Sequence, residues 1–538
     1  MEKRKPYSRT ETGDGGYIYC LDSGVLSIAL GSGAEIWRSS ADWWVDDFRL
    51  GDVDGNGTQD ILFTLWKSYR FGEAKPSRME NSDDRVYNHL FMYTVMPGYV
   101  KEVWCSSDLP RPIYRFELDP SGDVTPISSG MLLFTEEGEY QDDFSNTGSL
   151  TYKYAWQGWG FVPVELSIYN ATISFTGDLM VHRQQLADAL LKGGGEYDFD
   201  YCFESISKYL RDSDYTIGNL ETTFPGDPAL YSDFPYFGAP DSFGAALKRA
   251  GFDMLTTSNN HCLDKGEDGL IHTLDVLDSL GIGHIGTYKT QEERDSVFLK
   301  SINGITFAFV SYTYGTNGLT VPDDKEYLVN VMNERDYHAN LFADIRAAKA
   351  LDPDIVIVLP HMGDEYSVVP QPKYVELVTD MLEAGADIVL ATHPHILQPI
   401  KFIEVNDENC ERRRCFVAYS LGNFISSQRK KNSDAGTILN LTFEKIEGQK
   451  AYIKSASYIP TWVQFAGLSG GYDIKVLPVC DALTSHENSD NYKLRTADIY
   501  RLKEVLSQTS QMISGEKIDL EKIQNEYNGD AVLAFSLK

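Results

Sequence analysis

The sequence predicts an α/β domain preceded by an all-β region. From about residue 168, near-continuous apolar strands alternate with helical segments, a pattern typical of a sheet covered on both faces. Residues 1–167 instead alternate short strand-like runs with glycine-rich turns and contain no long amphipathic helix. A chain of 538 residues also exceeds what a single core usually serves, so two or three domains are expected.

In the N-terminal region, a strand–acidic turn–strand unit occurs at DVDGNGTQD and, more weakly, at FELDPSGD. Repetition of such units is typical of β-propeller blades, and the unit resembles the FG-GAP repeat of surface proteins. The region is too short for a complete propeller of four-stranded blades. We therefore expect a partial propeller-like domain over residues 1–167.

The motif DVDGNGTQD alternates oxygen-bearing side chains around two glycines. This spacing turns the oxygens toward one point, as Ca²⁺ requires. The motif lacks the terminal glutamate of an EF-hand loop, so an acidic turn that binds no ion is an equal alternative. The candidate calcium ligands are Asp52, Asp54, Asn56 and Asp60.

Composition restricts the classes of partner. The formal net charge of −31 disfavours nucleic acid and anionic membrane surfaces as main partners. The chain has no apolar run long enough to predict a transmembrane helix. Its seven cysteines include no CxxC pair, which disfavours a thiolate zinc site. Cys410 and Cys415 either bridge a hairpin in an oxidising compartment or remain free thiols.

The helical segments of the C-terminal two thirds follow from their apolar periodicity. The α/β domain is predicted over residues 168–480 and a helical extension over 481–538. In the extension, an apolar stripe runs through 495–525, and we expect it to pack on the body of the protein. Within the α/β domain, helices are predicted over 200–212, 241–251, 267–281, 333–350 and 371–385.

Six polar motifs of the α/β domain follow the C-terminal ends of apolar strands. Open α/β sheets place their binding sites along that carboxyl edge. Four of the ten histidines fall in these motifs, although a single histidine at a strand end is more often structural. The motif residues are Asp178, Asn219, Glu221, Asn260, His261, Asp264, His361, His393, His395 and Asn423.

These residue types indicate a metal site. On an extended strand, His393 and His395 face the same side and can approach one centre. Imidazoles combined with carboxylates and an amide oxygen suit Zn²⁺, Mn²⁺ or Fe²⁺ rather than Ca²⁺. Such a set suffices for one catalytic ion with open positions or for a pair of ions. The predicted metal ligands are Asp178, Glu221, Asn260, His361, His393 and His395.

The motif order from TGDLM to SLGNF resembles the poly-γ-glutamate capsule biosynthesis protein family, CapA, through NLET, NNHCLDKGEDGL, HMGDEY and THPHILQP. That family is regarded as a branch of the calcineurin-like metallophosphoesterases. The resemblance implies a four-layer αββα sandwich, two sheets flanked by helices, with metals at the strand ends. It also implies that His261, oriented by Asp264, is a general acid beside the metal ligand Asn260.

Three features near the first motifs bear on the substrate. Met180 occupies the place of the histidine in the superfamily's Asp-x-His motif, so one metal subsite lacks a ligand there. Arg183 either clamps an anionic substrate or is a surface residue. The aromatic loop over 222–240 is either a lid or substrate groove, or an ordered surface loop.

The leading functional hypothesis is a metal-dependent hydrolase of phosphoester or γ-glutamyl bonds in capsule or poly-γ-glutamate synthesis or export. Its substrate would be an anionic polymer or a phosphoester, and the capsule synthesis machinery is the candidate partner. The alternative is a non-catalytic polymer-handling or cell-surface binding protein with a structural or vestigial metal site. The resemblance favours the bacterial cell surface or exterior, whereas a polar N-terminus without an apolar signal segment favours the cytoplasm.

Overall fold

The computed structural model describes residues 8–68, 86–119, 131–140, 150–332, 337–406, 412–468, 471–488, 492, 494–519, 522 and 532–535. The chain divides into two compact units, unit 1 over residues 1–167 and unit 2 over residues 168–538. Cys410, one partner of the candidate hairpin disulfide, and the second half of the FELDPSGD turn lie outside the described residues.

The described residues of unit 1 form three four-stranded antiparallel sheets that follow one another along the chain, each with sequential strands paired. The sheets are β1 (Ser8–Thr12), β2 (Ile18–Asp22), β3 (Val25–Ala29) and β4 (Glu35–Arg38); β5 (Trp44–Gly51), β6 (Asp60–Lys67), β7 (Tyr87–Met96) and β8 (Tyr99–Cys105); and β9 (Ile113–Asp119), β10 (Leu132–Glu137), β11 (Leu150–Trp156) and β12 (Phe161–Val164). The described residues of this region agree with the predicted all-β class.

The middle sheet of unit 1 packs on both of its neighbours, and this explains why β6 is buried along nearly its whole length. Phe63 and Leu65 lie in a core shared with the first sheet. Leu62 lies in a second core, shared with the third sheet. Because successive side chains of a strand point to opposite faces, a strand between two sheets must be apolar on both.

Unit 2 contains two mixed β-sheets with helices between the strands. Its strands are β13 (Ile168–Leu179), β14 (Tyr215–Leu220), β15 (Met254–Thr256), β16 (Gly283–Ile285), β17 (Phe298–Ile302), β18 (Ile305–Thr313), β19 (Ile355–His361), β20 (Ile388–Leu390), β21 (Ile400–Asn406), β22 (Arg412–Ala418), β23 (Asn423–Ile425), β24 (Ala435–Ile446), β25 (Tyr452–Leu468), β26 (Gly471–Pro478) and β27 (Leu533–Phe535). Its helices are α1 (Arg183–Lys192), α2 (Ser207–Arg211), α3 (Asp241–Ala250), α4 (Gly266–Leu280), α5 (Gln291–Asp295), α6 (Ala339–Ala350), α7 (Pro372–Glu383), α8 (Val479–Asn488) and α9 (Thr496–Ser514). Among the described residues, no helix has the length and apolarity that crossing a membrane requires.

The strand order brings the polar motifs to one edge of each sheet. The first sheet has the order β16-β15-β14-β13-β24-β25-β26, with β23 beside β13 and β27 beside β25. The second has the order β17-β18-β19-β20-β22-β21. In the first sheet, β13 to β16 run parallel. In the second, β18, β19, β20 and β22 run parallel, so the carboxyl ends of each set meet at a common edge.

The two sheets pack face to face, with helices on their outer sides. Phe175 of the first sheet and Phe307 of the second share one core. On the other face of the first sheet, a second core contains Leu247 of α3 and Leu277 of α4. A third core joins the second sheet to α6 and α7. The described residues thus form helix, sheet, sheet and helix layers, and the α/β prediction is confirmed.

The helix α9 belongs to the same unit as the sheets. Leu502 and Leu506 lie in the core between the two sheets. On the same helix, the Arg501 guanidinium pairs with the Asp434 carboxylate at 2.6 Å. Burial opposes ionisation of Asp434, but the hydrogen bonds and charge of Arg501 prevail and lower the pKa of this carboxyl. The helix is therefore fastened to the body by apolar packing and by an ion pair.

Candidate metal centre

The strand ends bring the predicted ligands of unit 2 together. Asp178 is the penultimate residue of β13, Glu221 directly follows β14, and His361 is the last residue of β19. Ligand atoms of these three residues lie within 4.8 Å of one another. A second group within the same distance combines Glu221 with His393 and His395. All five side chains are buried, and Glu221 is common to both groups.

Asn260, the sixth predicted ligand, also faces this cluster. Its Oδ1 lies 2.8 Å from His361 Nε2. Its Nδ2 donates to Asn317 Oδ1 at 3.2 Å, so the amide oxygen is the atom left for the cluster. His395 lies between Asp178 and Glu221: its Nδ1 is 3.1 Å from Asp178 Oδ2, and its Nε2 is 3.8 Å from Glu221 Oε1. We name the Asp178–His395 side subsite 1 and the Asn260–His361 side subsite 2.

The chemistry of the cluster fits a divalent cation. Glu221 is fully buried, and neither of its oxygens has a hydrogen-bond partner among the described residues. Burial, followed by the nearby Asp178 carboxylate, raises the pKa of Glu221 well above its usual value. Two buried carboxylates without a cation are costly, and a bound ion would compensate both. Burial also lowers the pKa of His361, which keeps its imidazole in the neutral, ligating form.

The two histidines of the THPHI motif do not lie on an extended strand, which corrects the expectation based on strand alternation. Both have backbone φ values in the left-handed region, 104° for His393 and 60° for His395. Such values are uncommon for non-glycine residues and cluster at functional sites. The turn still aims both rings at the cluster, with centroids 5.9 Å apart. His393 Nδ1 is buried without a partner among the described residues.

Asn219 holds two of the predicted ligands in place, a role that the sequence alone did not indicate. Its Nδ2 donates to Asp178 Oδ1 at 2.8 Å and lies 3.2 Å from His361 Nδ1. The Thr256 hydroxyl donates to its Oδ1 at 2.9 Å, which sets the amide orientation. Partners of this kind orient metal ligands. The only sequence signal was the position of Asn219 at a strand end.

The predicted general acid His261 lies in a hydrogen-bonded pair with Asp264. Its Nδ1 is 2.7 Å from Asp264 Oδ2, and both side chains are buried. The same carboxylate oxygen accepts the backbone N–H of Phe237 at 2.6 Å. The Phe237 ring packs against the imidazole with a centroid distance of 4.6 Å. The pair is therefore rigidly held, and Nε2 is the nitrogen left for proton transfer.

A second His–Asp pair lies on the other side of Phe237 and was missed from the sequence. His182 Nδ1 is 3.0 Å from Asp233 Oδ1, and His182 Nε2 is 3.0 Å from Ser426 Oγ. The His182 and Phe237 ring centroids are 5.0 Å apart. Burial raises the pKa of Asp233, but the hydrogen bonds from His182 and backbone N–H groups outweigh it and lower the pKa. The pair fastens the 222–240 loop to the end of β23.

The predicted substrate-contacting features are exposed to solvent in part. Arg183 is the first residue of α1 and its side chain is exposed. In the 222–240 loop, Phe237 is buried, whereas Phe234 is 73% and Tyr236 49% exposed. The loop therefore combines a packed anchor with exposed aromatic rings.

The candidate calcium turn of unit 1 is formed, and its oxygens already serve the turn itself. One atom each of Asp52, Asp54 and Asp60 lie within 4.8 Å of one another. Asp52 Oδ2 accepts the Gly57 N–H at 2.8 Å, and Asp54 Oδ1 accepts the Asn56 N–H at 3.2 Å. Burial raises the pKa of Asp60 to about 6. Both the calcium site and the ion-free turn remain compatible with this geometry.

Residues 172–428 match the family model described as bacterial capsule synthesis protein PGA_cap. This PGA_cap-like region contains the six predicted metal ligands and both residues of the His261–Asp264 pair. The resemblance to capsule synthesis proteins is confirmed over this region. The FG-GAP resemblance of unit 1 stays a prediction.

Individual proteins are similar over a comparable length. The chain is 27% identical over 268 residues to the capsule biosynthesis protein CapA of Bacillus anthracis, covering 48% of this chain and 60% of that protein. It is 27% identical over 295 residues to the PGA biosynthesis protein CapA of Bacillus subtilis strain 168, covering 52% and 70%. The match thus spans less than two thirds of the B. anthracis protein. Among solved structures, the calcineurin-like phosphoesterase YfkN from Bacillus subtilis aligns with a TM-score of 0.32 and 15% identity, covering 64% of this chain and 98% of that chain.

Proposed function

We propose that this protein is a CapA-like, metal-dependent hydrolase that acts in capsule or poly-γ-glutamate synthesis or export. The observation that carries the proposal is the convergence of buried ligand groups on Glu221, whose oxygens have no other partner among the described residues. The match of residues 172–428 to a capsule synthesis family supports the biological role. The reaction would take place at the carboxyl edge of the two sheets of unit 2.

The ligand set supports one or two ions of Zn²⁺, Mn²⁺ or Fe²⁺, since it combines imidazole nitrogens with carboxylate and amide oxygens. When bound, such an ion supplies Lewis-acid activation of water and of the scissile group. The residues that would hold it are Asp178, Glu221, Asn260, His361, His393 and His395.

His261 would protonate the leaving group. Its Nδ1 is engaged by Asp264 at 2.7 Å, so the tautomer and the ring orientation are both set. Proton donation from a positioned imidazole typically contributes on the order of 10²–10⁴ in rate. Asp264 stabilises the protonated form and is in turn held by the Phe237 N–H.

The proposed substrates are anionic, either phosphoesters or γ-glutamyl bonds of an anionic polymer. Arg183 lies exposed close after the Asp178 motif and would bind an anionic group. The exposed rings of Phe234 and Tyr236 would form one wall of the substrate path. The relatives named for capsule and PGA biosynthesis support the polymer alternative.

The catalytic proposal is tested with chelated protein reloaded with Mn²⁺ or Zn²⁺ and assayed on p-nitrophenyl phosphate, bis(p-nitrophenyl) phosphate and γ-glutamyl-p-nitroanilide. His261→Ala is expected to lower kcat by about 10²-fold or more. The matched control is His284→Ala, because His284 also pairs with an aspartate, Asp278 at 3.1 Å, outside the cluster. Equal rates for the two variants, or no metal-dependent hydrolysis of any substrate, would reject the catalytic role.

One observation favours a second candidate function, a non-catalytic protein that handles the polymer. Met180 places a thioether two residues after Asp178, and Mn²⁺, the hardest of the proposed ions, binds thioethers poorly. In this case the ion would be structural or vestigial. Two results together would support this second function. The unmodified protein would turn over none of the substrates, and His261→Ala would still bind the ion and poly-γ-glutamate.

We propose a cell-surface or extracellular location, with the capsule synthesis machinery as partner, because of the capsule-related names of the relatives. The three stacked four-stranded sheets support a partial propeller-like, FG-GAP type of domain for unit 1. Its acidic turn would bind Ca²⁺ through Asp52, Asp54, Asn56 and Asp60. The proposed calcium site is tested by titrating Asp54→Ala and the unmodified chain with Ca²⁺. Equal calcium affinities of the two proteins would exclude the site.

A further inference from the structure

We propose that Asn423 is an oxygen ligand of the ion at subsite 1, so that the metal centre has a seventh protein ligand. The inference rests on the proposed metal centre and concerns which residues of this chain complete it. Asn423 opens β23, which runs parallel to β13, and it is the register partner of Asp178. Its side chain is fully buried.

The orientation of the Asn423 amide is set by its surroundings. Its Nδ2 donates to Gln428 Oε1 at 3.1 Å and to the Ser433 carbonyl oxygen at 2.8 Å. An amide nitrogen has two hydrogens, and both are used here. If the amide were flipped, Oδ1 would face the Ser433 carbonyl oxygen. That oxygen can only accept a hydrogen bond, so two acceptors would then face each other. The network therefore assigns Oδ1 to the opposite side, which faces subsite 1.

Three ligand atoms converge at that point. Asn423 Oδ1 lies 3.1 Å from His395 Nδ1, and Asp178 Oδ2 lies 3.1 Å from the same nitrogen. The other oxygen of Asp178 is held by Asn219 Nδ2 at 2.8 Å, so Oδ2 is the oxygen aimed inward. Both oxygens thus lie within hydrogen-bond distance of the same ring nitrogen. A divalent cation bound at this point would contact the nitrogen and both oxygens together.

The residue two positions after Asp178 does not compete for this role. Met180 is buried, and its sulfur accepts a weak hydrogen bond from Gln428 Nε2 at 3.8 Å. Thioether sulfur is a soft donor, whereas an amide oxygen suits Mn²⁺ and other hard ions. Subsite 1 would therefore offer two oxygens and one nitrogen at His395 Nδ1, while Glu221 lies 3.8 Å from the other ring nitrogen, Nε2. Such a donor set predicts a higher ratio of Mn²⁺ to Zn²⁺ affinity there than at subsite 2.

The test uses the full chain, stripped of metal with a chelator and titrated with Mn²⁺ by calorimetry. Asn423→Leu removes the amide at similar volume and is expected to weaken at least one Mn²⁺ site tenfold or more. Asn330→Leu is the matched control, because Asn330 is a buried amide that donates to the Tyr288 hydroxyl and the Ser311 carbonyl, both at 3.1 Å. We expect the control to bind Mn²⁺ within twofold of the unmodified chain.

A spectroscopic readout separates a ligand from a residue that only orients His395. Pulsed electron paramagnetic resonance counts the imidazole nitrogens coupled to bound Mn²⁺. If Asn423 is an oxygen ligand, Asn423→Leu weakens the affinity for Mn²⁺, but the number of imidazole nitrogens coupled to each bound ion stays the same as in the unmodified chain. A count that falls by one imidazole would assign Asn423 to orienting His395 and overturn the proposal.

Asn423→Asp keeps the proposal testable if the leucine variant does not fold. It retains an oxygen and adds a charge, so Mn²⁺ binding at least as tight as in the unmodified chain is expected. Tenfold weaker binding by a folded Asn423→Asp would count against direct ligation. If the unmodified chain binds neither Mn²⁺ nor Zn²⁺, the proposed metal centre itself fails. If it binds Mn²⁺ and Asn423→Leu binds it equally well, only the seventh ligand is rejected.

Discussion

Glu221 connects the stability of the fold to the proposed binding of an ion. Its side chain is fully buried, and the nearby Asp178 is a second carboxylate rather than a donor. Without a cation, the protein must either protonate Glu221 or carry a buried negative charge. Ion binding is therefore expected to stabilise the fold as well as to prepare the site.

Glu221→Gln is expected to stabilise the chelated protein by about 2 kcal/mol at pH 8, since it removes an uncompensated buried charge. The raised pKa sets the sign of the pH dependence. The favourable contribution of the protonated carboxyl is complete below the unfolded pKa near 4.5 and is lost as the pH rises through the folded value. The gain from the variant should thus grow with pH, as measured by chemical denaturation from pH 5 to pH 8.

Added Mn²⁺ is expected to reverse the order of stability of the unmodified chain and Glu221→Gln. At an ion concentration of about 100 times Kd, the unmodified chain should gain about 2.7 kcal/mol, and Glu221→Gln should lose most of that gain. Glu267→Gln is the matched control, because Glu267 is more exposed and pairs with Lys325. A Glu221→Gln variant that is less stable without metal and equally stabilised by Mn²⁺ would contradict the metal assignment.

At this scale, the gathering of the candidate ligands at the strand ends could be predicted from the sequence, but the hydrogen bonds that hold them could not. Asp178 and His361 are recognisable because they follow apolar strands that end at one edge. The roles of Asn219 and of the His182–Asp233 pair depend on amide orientation and on the path of a loop. These features are properties of the tertiary structure, which local sequence patterns do not encode.

At the scale of elements, the close approach of β13 and the turn before β23 places Asp178 beside Asn423. The Asp178 N–H donates to the Gly422 carbonyl oxygen at 3.0 Å. Gly177 makes this approach possible, since a Cβ at its position would lie 1.7 Å from that same oxygen. A glycine is therefore required at this position of the TGDLM motif, because any side chain would clash with the backbone of Gly422.

Gly177→Ala is expected to destabilise unit 2 by about 3 kcal/mol, because the two backbones must separate to admit the methyl group. The separation should also weaken Mn²⁺ binding, since it moves Asp178 relative to Asn423. The control is Gly467→Ala in β25, where a Cβ meets no atom within 4 Å. Thermal unfolding and Mn²⁺ titration of both variants provide the measurement, and equal behaviour of the two would contradict the steric argument.

Most strands and helices of unit 2 were predictable because their apolar periods are strong, yet the conformation of connecting turns was not. The predicted helix over 200–212 is interrupted by a turn and continues only as α2, and the predicted helical extension over 481–538 includes the strand β27, which pairs with β25. The THPHI segment follows the short strand β20, and its sequence alternates like an extended chain. The structure instead turns at His393 and His395 with positive φ values. Tertiary packing around the cluster overrides the local preference there.

At the scale of the whole molecule, all residues of the candidate metal centre lie in unit 2. The three cores that join its sheets and helices also contain only residues from 168 onward. The first strand of unit 2, β13, begins at Ile168, directly after the boundary between the units. Among the described residues, the predicted ligands and the cores that join the sheets and helices around them lie within unit 2.

A fragment of residues 168–538 is expected to fold and to bind Mn²⁺ with the stoichiometry of the full chain and with affinity within about threefold, because it keeps every ligand and every core. Circular dichroism and calorimetric titration check this prediction. The same fragment carrying Glu221→Gln serves as the control for specific binding. A folded fragment that binds no Mn²⁺ would show that unit 1 contributes to the centre.

The ion pair between Arg501 and Asp434 connects the C-terminal helix to the surroundings of Asn423. Asp434 directly follows Ser433, whose carbonyl oxygen orients the Asn423 amide. The C-terminal helix α9 is thus linked to a ligand-bearing turn through a short series of contacts. A substitution of Arg501 would therefore act on the turn that orients the Asn423 amide without changing any of the proposed ligands.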